Sequence, residues 1–246
     1  IVASSGWSLT GNSGIDSAAN FIGTLDTKPF IIKVNNVRSG YVDTITNNTS
    51  LGFRALDSST TGTWNTAIGF KALAGNKTGE NNTGLGWGSL QFNSTGSSNT
   101  ASGVYGLYSN TSGSQNTAIG QLAMYLNTTG GQNIALGSDA MRDNNSGSSN
   151  IGIGYTALYF NTTGYSNIAV GTGALFNTGN RNNLVAVGDS ALFNNGTGAT
   201  ETAHGIANTA IGSKALFTNT TGYFNTANGS NALFSNTTGF QNVASG

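Results

Sequence analysis

Glycine returns every 17 residues along this chain, at Gly52, Gly69, Gly86, Gly103, Gly120, Gly137, Gly154, Gly171 and Gly188, closing a pentad of the form Asn-Thr-Ala-Ile-Gly. The same glycine resumes at Gly212, Gly229 and Gly246 after seven additional residues. A short fixed period sustained over most of a 246-residue chain dictates a stack of equivalent coils, because no single unit can bury a core alone. A globular enzyme built from one central core is thereby disfavoured.

Residues 65–79 show the unit, counting the anchor Asn as position zero. It reads Asn65-Thr66-Ala67-Ile68-Gly69, then Ala72-Leu73, then Asn76-Lys77-Thr78-Gly79. Glycines at positions four and fourteen split it into two stretches too short for helices and suited to strands. The prediction is therefore an all-β chain, a parallel β-roll or β-solenoid with two strands in each 17-residue coil. Position three (Leu51, Ile68, Leu85, Ile119, Leu136, Ile153, Val170, Val187, Ile211) and position eight (Leu56, Leu73, Leu90, Leu107, Met124, Met141, Leu158, Leu175, Leu192, Leu216, Leu233) read as the two core columns. The small residue before the second column, as at Ala72 and Ala123, fits a thin interior. Stacked anchor residues (Asn65, Asn82, Asn99, Asn116, Asn133, Asn150, Asn167) are expected to hydrogen-bond amide to amide along the axis. Twelve coils at about 4.8 Å give a rod of roughly 55–60 Å.

Composition narrows the function classes. Charged residues make up 7% of the chain and the formal net charge is zero, which leaves no electrostatic footprint for nucleic acid or an anionic membrane. The absence of cysteine excludes a disulfide framework and any thiolate metal site, and no cofactor is implied. No apolar run approaches the roughly 20 residues that span a bilayer. The chain opens at Ile1 and closes on the repeat glycine Gly246, which reads as a piece of a longer polypeptide.

Residues 1–47 leave the register and form a separate N-terminal unit, whereas 48–246 form the roll. Phe30-Ile31-Ile32-Lys33-Val34, Asn35-Asn36 and Val37-Arg38 read as strand, two-residue turn and strand, a hairpin that caps the roll or connects it upstream. An insertion near 200–207 carries Glu201 and the single histidine, His204, on a loop where solenoids place recognition. Two apolar side chains per coil are few for seventeen ordered residues, so a homo-oligomer is expected, with three chains about one axis.

The pentad followed by Ala-Leu resembles the head repeats of trimeric autotransporter adhesins of the YadA type, and also the longer repeats of bacterial and phage tail-fibre-like proteins. That likeness covers about 48–246, and departs from the adhesin heads in its longer period and in the Asn-Thr-Thr-Gly turn at 127–130 and 161–164. Trp7-Ser8-Leu9-Thr10-Gly11-Asn12 and Phe21-Ile22-Gly23-Thr24 are similar to the segment preceding such repeats in tail-fibre-like proteins. The resemblance implies a parallel β-roll that trimerises in an extracellular setting, on a bacterial surface or a virion fibre, and attaches to a host-surface protein or glycan.

Chemical constellations are missing. The nine acids recur in no one column, so no carboxylate pair for glycoside hydrolysis stands out, and no reaction or metal site is expected. Gly84-Leu85-Gly86-Trp87-Gly88 mimics a phosphate loop but sits in register with its sister corners. The column Tyr108, Tyr125, Tyr159, Phe176, Phe193, Phe217 and Phe234 follows the core Leu or Met. Its rings pack between chains or form an exposed ladder for sugars, to which Trp64 and Trp87 would add. With Glu201 and His204 this column makes up the candidate binding set. Alternative readings are an ice-binding β-solenoid, from the position-one threonines, and a glycan-degrading fibre enzyme. Ile134, Ile151 and Ile168 at that same position suggest that it faces inward, which argues against ice binding.

Overall fold

A computed structural model describes residues 22–59 and 61–246. The leader motif around Trp7 lies outside the described residues. A β-hairpin, β1 (Phe30–Val34) and β2 (Val37–Asp43), turns through Asn35 and Asn36, both with positive φ, as a two-residue hairpin of primed type requires. β2 then pairs antiparallel with β3 (Asn48–Leu51). From β3 onward every coil adds one parallel strand of three residues, from β4 (Thr66–Ile68) to β14 (Val243–Ser245), in a single sheet ordered by sequence. Residues at the same repeat position face one another across each ladder, as Thr66 faces Thr83 and Ile68 faces Leu85. The described residues form a parallel β-solenoid of about twelve turns with no helix.

Among the described residues the expected second strand of each coil is absent. In its place, the position-eight residues from Leu56 to Leu233 all adopt φ between 49° and 54°. A strand needs φ near −120°, so these leucines and methionines end any extended run where the sequence pattern suggested one. Coil-to-coil hydrogen bonds nevertheless continue there: Leu73 N–H donates to the Ser89 carbonyl at 2.9 Å and Leu90 N–H to Gly106 at 2.9 Å. The far side of the solenoid is a stack of identical turns. Positive φ recurs at position six and at the residue before each anchor Asn, examples being Lys71 and Trp64. A non-glycine residue in this region costs about 1–2 kcal/mol, which the ladder bonds and the burial of leucine offset.

The core also differs from expectation. Position eight is fully buried from Leu56 to Leu216 and partly buried at Leu233, but position three points outward, with Ile68 44% and Ile119 46% exposed. In a three-residue strand only the middle side chain faces in, and that residue is alanine or glycine: Ala67, Gly84, Ala101 and Ala118. The interior has no room for more. Leu73 Cγ lies 3.4 Å from where a Cβ on Gly84 would be, so the leucine column reaches across the coil to the strand. The core therefore packs one large residue against two small ones, Leu73 with Ala72 and Ala67.

Two asparagine columns flank that core. Asn82 places its Nδ2 3.1 Å and its backbone N–H 3.0 Å from Asn65 Oδ1, and the pattern repeats from Asn99 through Asn150. The second Nδ2 hydrogen goes to the position-fourteen carbonyl, Gly96 for Asn82. The axial amide ladder expected at the anchor column is thus present. A parallel column at position eleven was not anticipated: Asn93 Nδ2 donates to Asn76 Oδ1 at 2.7 Å, and Asn110 to Asn93 likewise. From Asn82 to Asn150 both Nδ2 hydrogens and the Oδ1 of each anchor asparagine are matched, so these buried amides offset the cost of leaving water.

Candidate functional site

Three surfaces of the solenoid are candidates for interaction. The first is the outer face of the sheet. Positions one and three of each strand both project from it, so the position-one residues Thr66, Thr83, Ile134, Ile151 and Ile168 face outward, contrary to the inward placement read from the sequence. The physical reason is the two-residue period of a strand whose central alanine occupies the interior. From Asn48 onward these two columns contain no charged residue. The result is a straight, narrow, apolar and hydroxyl-bearing face, flanked across the hairpin by Val42, opposite Thr49, and Phe30, opposite Val42.

The second surface is the aromatic column at position nine. Tyr108 stacks on Tyr125 at 5.2 Å, Tyr159 on Phe176 at 5.1 Å, Phe176 on Phe193 at 4.9 Å, Phe193 on Phe217 at 5.3 Å and Phe217 on Phe234 at 5.3 Å. The missing rung is Arg142, whose guanidinium lies 6.0 Å from the Tyr125 ring and 5.3 Å from that of Tyr159. Arg142 also donates to the Tyr159 hydroxyl and pairs with Asp143 at 3.3 Å. Burial raises the Asp143 carboxyl above its ordinary range in spite of that cation. Burial likewise raises the Tyr108 phenol, helped by Tyr125 and Tyr105. Rings stacked in this way cover one another's faces and turn their edges outward, so the half-buried column is a stiffening rib along the rod. Its seven expected members are all in one ladder.

The third is the insertion. Glu201 and His204 lie together, 3.7 Å between Oε2 and Nε2, on the loop that the extra residues create. They make no hydrogen bond or ring contact with the aromatic column, so the sequence-predicted set is two separate groups. The loop is held from below by Arg181, which donates from Nη1 to the Glu201 carbonyl at 2.7 Å and from Nη2 to the Ala199 carbonyl at 3.1 Å. Arg181 is nearly fully buried, and that burial lowers its guanidinium from the ordinary value. The asparagine ladders are rerouted here. Leu184 and Thr178 replace an asparagine in each column, and Asn167 and Asn208 turn across to Asn161 and Asn195.

Trp64 stands outside both ring series, whereas Trp87 joins a short run with Phe70 and Tyr105. Sequence reasoning read the position-eleven asparagines as turn residues and missed their axial ladder, and it missed Arg142 and Arg181, whose roles depend on neighbours in other coils. Among the described residues no helix is long and apolar enough to cross a membrane, and no group of histidine and acidic residues could hold a metal. No protein-family model, curated protein or solved structure matches the chain.

Proposed function

We propose that this chain is a structural and adhesive segment of an extracellular fibre, assembled from three parallel copies that bury their flat sheet faces against one another. The observation that carries this reading is the uncharged outer face of the sheet. At about 60 Å by about 10 Å it offers on the order of 600 Å² per copy, so one pairwise contact buries roughly 1,200 Å², the low end of specific interfaces. In a threefold assembly each chain divides that face between its two neighbours, so the three copies together bury on the order of 1,800 Å². The hairpin would close the first coil, since Arg38 reaches the Leu56 carbonyl and Tyr41 hydrogen-bonds Asp43 beneath it. The function needs no reaction: a stiff rod presents its flanks and the Arg181-anchored loop to a host protein or glycan. The test is twofold. Light scattering should give a trimer, and beads coated with it should adhere to host cells or surface glycans, whereas a monomer that adheres to neither would overturn the reading.

A second reading is favoured by the outward position of the threonine column. Thr49, Thr66, Thr83, Thr100 and Thr117 form five consecutive rungs repeated at the strand spacing of about 4.8 Å, a hydroxyl and methyl array on a stiff support that could order water against ice. It requires the face to be free in solution, so the two readings compete for one surface. Thermal hysteresis from a monomeric rod would establish it, and its absence would remove it.

A further inference from the structure

The aromatic rib does not run the whole length of the rod. In the first three coils position nine is Asp57, Ala74 and Gln91, and only at Tyr108 does the ladder begin. Where the rings are missing a cleft of about 230 Å³ opens, bounded at its far end by Phe92, which packs edge-to-face on Tyr108 at 4.9 Å. Gly75 deepens it by lacking a side chain: a Cβ there would sit 2.8 Å from the Gln91 carbonyl oxygen.

Two cations line this cleft, Arg54 and Lys71. Both occupy position six with the same left-handed backbone, φ 57° and 55°, one coil apart, so their side chains leave the rod in parallel. Each lies over its own neighbouring ring, Arg54 over Phe53 and Lys71 over Phe70, and neither has an ion-pair partner among the described residues. Like charges in register on adjacent coils repel. An anion between them removes that repulsion and gains from both. Asp57, in the same wall, is also without an ion pair, and its carboxylate is an acceptor for hydroxyl groups, as the Gln91 amide is both donor and acceptor.

We infer that this cleft binds a carboxylate-bearing sugar, its carboxylate between Arg54 and Lys71, its hydroxyls on Asp57 and Gln91, and its apolar ring face against Phe92. The volume falls below the roughly 300–1,000 Å³ of pockets for drug-sized ligands, which fits one sugar ring at the end or side of a chain. This rests on the adhesive reading and names its ligand class. Two of the chain's nine lysines and arginines line this cleft, where a ladder residue has been given up.

The experiment titrates the intact chain with galacturonate and, as the neutral match, galactose, followed by ligand-observed NMR. Galacturonate is expected to bind about tenfold more tightly than galactose, and to weaken as salt rises from low to high ionic strength. Arg54→Gln with Lys71→Gln should remove that preference. Gln91→Tyr extends the aromatic ladder into the cleft, should leave the thermal transition at or above that of the parent, and should abolish binding. Equal affinity for the two sugars, no binding of either, or undiminished binding by a folded Gln91→Tyr chain would overturn the assignment. Light scattering and bead adhesion of the same variants separate the two claims. Trimers that adhere undiminished after both charge substitutions refute the cleft alone, whereas monomers that bind galacturonate refute the assembly alone.

Discussion

Asn82 places both its side-chain Nδ2 and its backbone N–H on a single acceptor, Asn65 Oδ1, at 3.1 and 3.0 Å. From Asn65 to Asn133 each rung of the anchor column therefore supports the backbone of the next coil as well as its side chain. Asn99→Ala would orphan the Asn116 N–H, whose acceptor is Asn99 Oδ1 at 3.0 Å. A buried donor left without its partner costs about 1–3 kcal/mol, so the urea midpoint should fall clearly. An unchanged midpoint would mean that the ladder is a consequence of stacking and not a contributor to it.

Glycines in this chain are not interchangeable. Gly120 has φ 134°, and a Cβ would overlap the Gly137 carbonyl oxygen, so Gly120→Ala should prevent correct stacking. Gly84 has ordinary φ and neighbours no nearer than 3.3 Å, so Gly84→Ala should raise stability by about 0.4–1 kcal/mol through the unfolded chain. Gly152→Ala meets Met141 Cγ at 2.8 Å and should gain less than Gly84→Ala. Thermal melts of the three variants check the order.

Asp43 gives the hairpin a pH dependence. Burial acts to raise its carboxyl, but hydrogen bonds from the Thr46 hydroxyl, the Ile45 N–H and Tyr41 outweigh that and hold it below the ordinary value. A folded pKa below the unfolded value of about 3.9 means that its contribution is present above about pH 4 and is lost as pH falls through the folded pKa. Asp43→Asn should therefore lower stability at pH 7, with the difference from the parent shrinking towards pH 2. A difference independent of pH would show that the carboxylate charge is not involved.

Much of the coil was legible in sequence because the period is strict. The anchor asparagine ladder, the leucine column and the corner glycines each announce themselves as one residue type at one interval. The strand assignment failed for a local reason. Apolar Ile68 looked like core and Leu73 like a second strand, but Leu73 sits at φ 51°, a conformation that residue type rarely signals. Once that turn is made, Leu73 fills the interior and leaves only room for Ala67, which forces Ile68 outward. The candidate surfaces were legible in part. The ring column could be read off directly, whereas Arg142 as its missing rung and the cleft before Tyr108 depend on which side chains the coils bring together.

Phe193 lies between Phe176 at 4.9 Å and Phe217 at 5.3 Å, and so bridges the 24 residues from Gly188 to Gly212, where the insertion breaks the period. Phe193→Ala removes two stacked pairs, should cost about 1–3 kcal/mol and should make the loop around Glu201 more open to limited proteolysis. Arg142→Phe, which completes the ladder, should leave stability equal or higher. Loss of folding in Arg142→Phe would show that its ion pairs with Asp139 and Asp143 outweigh stacking.

The outward face of the sheet decides the account. Light scattering on the intact chain at micromolar concentration, beside an Ile119→Lys, Ile153→Lys variant that changes only outward side chains, measures it directly. The account predicts three copies for the parent and a folded monomer, with an unchanged far-ultraviolet circular dichroism spectrum, for the variant. A parent that is monomeric, or a variant that stays trimeric, would contradict it.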